Sequence, residues 1–151
     1  MHLKIIVIII AYNGLKMNAT DIIKKAGLKI TPQRKIVYEA IAELKHAAID
    51  TIIAKVQESN PDITISTIYR ILDSFYKADI LSQVNHPNDG KTYYDITPIP
   101  HHHIFEGQKI IDYSDPKLTE LIRRYLKEGA FETENIDKIQ VQIIINPIKS
   151  D

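Results

Sequence analysis

The sequence predicts an α+β protein in two parts, a helical N-terminal part and a sheet-based C-terminal part. Three observations carry this. Apolar residues recur at helical spacing from about residue 18 to residue 77, the pattern switches to period two after residue 80, and Pro98-Ile99-Pro100 interrupts the chain before a second, shorter set of elements.

The first helix is expected from Asn18 or Thr20 through Ala26, with Gly27 as its stop. Thr31-Pro32 opens a second: the threonine caps free backbone N–H groups and proline suits the first turn, while Ile36, Val37, Ala40, Ile41 and Leu44 repeat at helical spacing. A third helix carries Ile49, Ile52, Ile53 and Val56 on one face and ends at Asn60-Pro61. The fourth, from about Ser66 to Lys77, buries Ile68, Ile71, Leu72 and Phe75 and leaves Thr67, Tyr69, Arg70, Asp73 and Ser74 outward. Leu81–Val84 and Thr92–Ile96 then flank Pro87-Asn88-Asp89-Gly90 as a two-stranded hairpin. Short helices followed by a hairpin form a winged helix-turn-helix domain, in which the last helix enters the DNA major groove and the hairpin lies beside the backbone.

Beyond the proline break, strands are expected at His101–Phe105 and Gln108–Tyr113, a helix from Asp115 to about Glu128 closed by Gly129, and a last strand near Ile139–Ile145 with Ile139, Val141, Ile143 and Ile145 on one face. This small C-terminal α/β part has little core of its own, so pairing with a second copy is the natural remedy and marks it as a dimerisation domain. The expected boundaries are 1–16, a leader of uncertain status; 17–97, the winged-helix domain; and 98–151, the dimerisation and metal-binding domain. The leader's apolar run, Ile5 to Ala11, is too short to span a bilayer, and no small-x-small cleavage site follows it. Met17 reads as an alternative start, which implies a cytoplasmic protein with no membrane partner.

Nineteen basic and nineteen acidic residues leave no net charge, so composition alone argues for no polyanionic partner. Local charge is uneven. From Asp21 to Lys35 there are five cations, Lys24, Lys25, Lys29, Arg34 and Lys35, against one anion, whereas Thr92 to Asp151 holds seven cations against ten anions. A basic front and acidic rear fit an oriented nucleic-acid binder. On the fourth helix, Ser66, Thr67, Tyr69 and Arg70 offer hydroxyls, a phenol and a guanidinium, groups that bind phosphates and base edges.

The chain has no cysteine, which excludes disulfides, thiolate metal sites and thiol redox switching. Any metal must therefore be held by His, Asp or Glu. His101-His102-His103 is the most informative cluster: on a strand, His101 and His103 share one face and His102 takes the other. Asp95, Asp112 and His46 are candidate partners, although each taken alone is an ordinary surface residue. Three imidazoles and two carboxylates would neutralise a divalent ion and suit Fe²⁺, Mn²⁺ or Zn²⁺. Because His46 lies in the helical part and the others at or beyond the hinge, such an ion would clamp the two domains in one orientation.

Leu28-Lys29-Ile30-Thr31-Pro32-Gln33-Arg34 resembles the L-x-x-T-P-Q-R opening of the ferric uptake regulator family, Ser66-Thr67-Ile68-Tyr69-Arg70-Ile71-Leu72 its T-V-Y-R-x-L recognition helix, and His101-His102-His103 its His-rich metal motif. Order and spacing of all three agree over roughly Thr20 to Tyr113. The resemblance implies a homodimeric repressor, not an enzyme, that binds an AT-rich inverted repeat in double-stranded DNA when loaded with Fe²⁺ or Mn²⁺. It maps the regulatory metal onto His46, Asp95, His101, His103 and Asp112, and DNA contact onto Lys24, Lys29, Gln33, Arg34, Ser66, Thr67, Tyr69 and Arg70. Aspartate at position 95 is typical of the family's peroxide-sensing branch, in which peroxide acts through bound iron to oxidise a ligand histidine; by position the candidates are His46 and His101. Iron or other metal uptake control without peroxide sensing is the alternative within the family. The chain departs from the family in lacking its two C-x-x-C pairs, which excludes the structural Cys₄ zinc. A second His/Glu site known in some relatives is degraded, with Thr119 where the glutamate usually stands. Of two readings of other classes, a small non-haem metalloenzyme using His101, His103 and a carboxylate leaves the helix-hairpin half unexplained, and a protein-binding winged-helix scaffold is distinguished from a DNA binder by the steep salt dependence of DNA affinity.

Overall fold

A computed structural model describes residues 18–96, 101–129 and 139–146. The expected leader and the Pro98-Ile99-Pro100 break lie outside the described residues. The chain divides into two compact units, Met1–Ile99 and Pro100–Asp151.

Unit 1 contains helices α1 (Ala19–Lys25), α2 (Pro32–Leu44), α3 (Ile49–Ser59) and α4 (Ile65–Lys77), with strands β1 (His46–Ala48), β2 (Ser82–Asn85) and β3 (Thr92–Asp95). Three helices start on side-chain caps. Asn18 accepts the N–H of Asp21, Thr31 that of Arg34, and Thr64 that of Thr67. After α1 the chain turns at Gly27, whose φ of +77° is open to glycine at no steric cost. The apolar stripes converge on one core in which Ile23, Val37, Ile41, Ile52, Val56, Ile68 and Phe75 are fully buried. Removing each such side chain from water stabilises the fold by about 1.5–3 kcal/mol.

The expected two-stranded wing has a third strand. β1 pairs antiparallel with β3, giving the order β1-β3-β2. His46-Ala47-Ala48 carries no strand signal; it is extended because Lys45 ends α2 at a φ of +64° and because β3 offers a free edge. Thr31→Ala, which removes a cap from the core helix α2, is expected to lower unit 1 stability by about 1 kcal/mol in urea denaturation.

Unit 2 contains β4 (His102–Glu106), β5 (Lys109–Tyr113), helix α5 (Pro116–Glu128) and β6 (Gln142–Ile145), in a sheet of order β5-β4-β6 with β6 parallel to β4. His101 precedes β4 rather than belonging to it, and the last strand starts at Gln142 rather than near Ile139. The β4–β5 turn is closed by Gly107-Gln108, with Glu106 opposite Lys109 and Gly107 at a φ of +60°. Asp115 caps α5 by accepting the N–H groups of Lys117 and Leu118. Its carboxyl is held below the usual range by the Tyr113 hydroxyl first and then by those N–H groups. Its contribution is therefore present above the ordinary carboxylate pKa and lost as pH falls through the lowered value.

His102 ties three elements of this unit together. It is 2% exposed, and its Nδ1 accepts the Val141 N–H at 3.1 Å, so the ring proton sits on Nε2. Nε2–H then meets Thr119 Oγ1 at 2.8 Å, and that hydroxyl donates to the Asp115 carbonyl at 3.1 Å. A neutral relay thus joins the residues ahead of β6 to β4 and to α5. Thr119→Val leaves a buried N–H without its acceptor and is expected to cost about 1–3 kcal/mol of unit 2 stability in thermal denaturation, with metal affinity unchanged.

Candidate metal centre and nucleic-acid face

The ligand-type side chains fall into two sets, one in each unit. In unit 1 the antiparallel register of β1 and β3 sets His46 directly opposite Asp95. His46 Nε2 lies 3.9 Å from Asp95 Oδ2, and the Asp95 side chain is only 1% exposed. A carboxylate withdrawn that far from water is tolerable only beside compensating positive charge or hydrogen-bond donors. An imidazole and a buried carboxylate on adjacent strands are donors that a hard divalent ion could use.

In unit 2 the β4–β5 register sets His103 opposite Asp112. His101, two residues earlier, shares the face of His103, whereas His102 points to the other face and its relay. His101 Nε2 is 3.0 Å from His103 Nε2, and the rings meet edge to face with centroids 4.6 Å apart. Asp112 Oδ1 stands 3.2 Å from His101 Nε2 and 3.7 Å from His103 Nε2. His103 is fully buried, His101 nearly so, and Asp112 is 40% exposed. Two imidazole nitrogens each about 2.1 Å from one ion lie about 3.0 Å apart at a right angle and about 3.4 Å apart at the tetrahedral angle. The His101–His103 and His101–Asp112 separations fall in that range, the His103–Asp112 separation is wider, and the donor set is that of a borderline or hard divalent cation.

The two sets account for all five metal-ligating candidates, two in unit 1 and three in unit 2. Sequence reasoning missed that β1 carries His46, since three residues without alternation give no strand signal. It also missed His102 as a structural residue, although its opposite parity to His101 and His103 was the available clue. The structure accounts for Thr119 at the usual glutamate position by an oxygen that serves His102 as hydrogen-bond acceptor.

The DNA-facing candidates lie on unit 1. Tyr69 and Arg70 project from α4 into solvent, Tyr69 with 49% of its surface exposed. Ser66 and Thr67 lie in the first turn, where both hydroxyls hydrogen-bond the Thr64 cap, at 3.1 and 2.9 Å. They reinforce the start of α4 as well as facing outward. Lys24, Lys29 and Gln33 are exposed, and Arg34 is half-buried with Nη1 donating to the Lys29 carbonyl at 2.6 Å, which steadies the α1–α2 loop.

The profile of the ferric uptake regulator family matches residues 25–142. A ferric uptake regulation protein of Pseudomonas fluorescens is 26% identical over 115 residues, covering 73% of this chain and 93% of the relative. A peroxide-responsive repressor of Staphylococcus aureus is 31% identical over 104 residues, 67% of this chain and 70% of the relative. The crystal structure of a Campylobacter jejuni peroxide stress regulator superposes with a TM-score of 0.65 at 27% identity, covering 89% of this chain and all of the other. With its helical first unit, sheet-based second unit and the profile match across both, the chain belongs to the ferric uptake regulator family.

Proposed function

We propose that this protein is a cytoplasmic, metal-dependent, DNA-binding transcriptional repressor in which one divalent ion, Fe²⁺ or Mn²⁺, is shared by His46, Asp95, His101, His103 and Asp112. The observation that carries the reading is the division of ligands: a buried His–carboxylate pair in unit 1 and a His–His–carboxylate triplet in unit 2, each too small to complete a coordination shell alone. Residues 17–97 act as the DNA-reading domain and 98–151 as the dimerisation and metal-binding domain. Bound metal would supply positive charge to both sets and, as iron, a redox centre. His46 and Asp95 hold unit 1 to it, and the triplet holds unit 2, so that DNA affinity depends on occupancy.

Tyr69 and Arg70 read bases of an AT-rich inverted repeat, while Lys24, Lys29, Gln33, Arg34, Ser66 and Thr67 meet backbone phosphates. A homodimer supplies the matching two-fold symmetry. Unit 2 favours it: among the described residues its one fully buried apolar side chain is Phe105, while Ile111, Leu121, Tyr125, Ile144 and Ile145 are each more than 40% exposed. No thiolate zinc can brace that dimer, because the chain has no cysteine.

Asp95 and the 31% identity to a peroxide-responsive repressor favour peroxide sensing. One oxygen atom of peroxide adds to the His46 or His101 ring, the other leaves as water, and the ring carbon is oxidised by two electrons. A ligand lost in this way releases DNA. The relative from Pseudomonas fluorescens, matched over 93% of its length, favours the second reading, metal-uptake control without this oxidation.

Adding Mn²⁺ to chelator-treated protein is expected to raise affinity for promoter DNA in gel-shift assays; equal binding with metal and with chelator overturns the reading. Arg70→Ala is expected to weaken DNA binding by about 1–3 kcal/mol with metal retained. Mass spectrometry of iron-loaded protein after peroxide is expected to show one added oxygen on His46 or His101, whereas an unchanged mass leaves the uptake regulator. Leu121→Arg is expected to shift the protein toward monomer in sedimentation.

A further inference from the structure

The turn of the wing is built more firmly than a loop tip needs to be. His86, only 1% exposed, accepts the Asn88 N–H on Nδ1, and its backbone exchanges hydrogen bonds with Lys91 and Gly90. Asp89 accepts the Lys91 N–H at 2.8 Å on one carboxylate oxygen and the Tyr93 hydroxyl at 2.8 Å on the other. Gly90, at a φ of +67°, allows the chain to close. The backbone of Lys91 is thereby held in one place.

That place borders an open groove whose lining includes Asp50, Tyr69, Lys91, Thr92 and Tyr94. Its walls are the β1–α3 junction with Asp50 and the wing with Lys91, and Tyr69 of α4 joins them. Lys91 Nζ lies 3.8 Å from Asp50 Oδ2, with the two side chains 57% and 69% exposed. Asp50 sits in the first turn of α3, where its other carboxylate oxygen accepts the Thr51 N–H. An exposed ion pair at that spacing is weak and screened by salt, so its lysine exchanges partners readily.

We infer that Lys91 is a phosphate-binding residue of the wing and that Asp50 restrains it, so that a DNA strand crossing the groove beside Tyr69 takes the lysine from the aspartate. The inference rests on the DNA-binding reading above and adds a contact outside the helices. A phosphodiester strand is the occupant that fits: the groove opens to solvent, presents one exposed cation in a long ion pair, and adjoins the tyrosine offered to bases. Asp50 acts only by holding Lys91 back, and the lysine meets the phosphate backbone, so the pair sets affinity without reading sequence. Phosphate contact of this kind releases a counterion and steepens the salt dependence of binding by about 0.9 per phosphate neutralised.

The test uses full-length, Mn²⁺-loaded protein and a fluorescently labelled duplex of mixed sequence, with anisotropy followed over about 50 to 200 mM salt. Lys91→Ala is expected to flatten the plot of log affinity against log salt by about 1 per wing engaged, and Lys91→Arg to restore it. Asp50→Asn is expected to tighten binding several-fold in the parent and much less in the Lys91→Ala background. A slope unchanged by Lys91→Ala overturns the inference, as does an Asp50→Asn gain of equal size in both backgrounds. Parent protein that fails to bind the duplex with any salt dependence overturns the DNA-binding reading along with it.

Discussion

Imidazole and carboxylate groups withdrawn from water must meet compensating groups, and that constraint organises both units of this protein. Asp95 and His103 are almost fully buried, in positions where an ordinary surface pair would be solvated. Strand register satisfies the constraint locally: β1 brings His46 to Asp95, and β5 brings Asp112 to His103. His102 meets the same demand differently, as a neutral ring with both nitrogens engaged. Neighbouring residues on one strand thus have different surroundings because the pleat sends them to opposite faces, His103 toward His101 and Asp112 and His102 toward a hydrogen-bonded relay.

The units differ in how they are held together. Unit 1 closes around a contiguous apolar core supplied mainly by four helices, to which its sheet adds Ala47 and the partly buried Tyr94. Unit 2 relies on sheet pairing, the Asp115 cap and the His102 relay, with apolar residues left at its surface. Burial of that surface against a second copy would supply the stability its own core lacks. The short Gly107-Gln108 turn, with Gly107 at a positive φ, closes the β4–β5 pair.

Much of the fold was legible in the sequence because its signals are local. Asn18, Thr31, Thr64 and Asp115 are capping residues whose hydrogen bonds reach no more than three residues ahead. Of these, the sequence marks Thr31 as a cap and Asp115 as the start of its helix. The buried stripe Ile68, Ile71, Leu72 and Phe75 follows from helical period alone. The strand His46–Ala48 was not legible, since an edge strand of three residues exists only through pairing with β3, more than forty residues away along the chain.

The sequence by itself determined which chemistry is open to the protein: no thiolate, a His-rich strand, carboxylates of suitable type, and an exposed Tyr-Arg pair on an amphipathic helix. Tertiary structure decided which of those groups meet. Pairing registers chose Asp95 for His46 and Asp112 for His103, and the turn at Gly90 carried Lys91 to the groove beside Tyr69. The physical reason is range: caps and periodicity act over a few residues, whereas ligand sets and grooves are made by contacts between strands and helices whose separation along the chain carries no local signal.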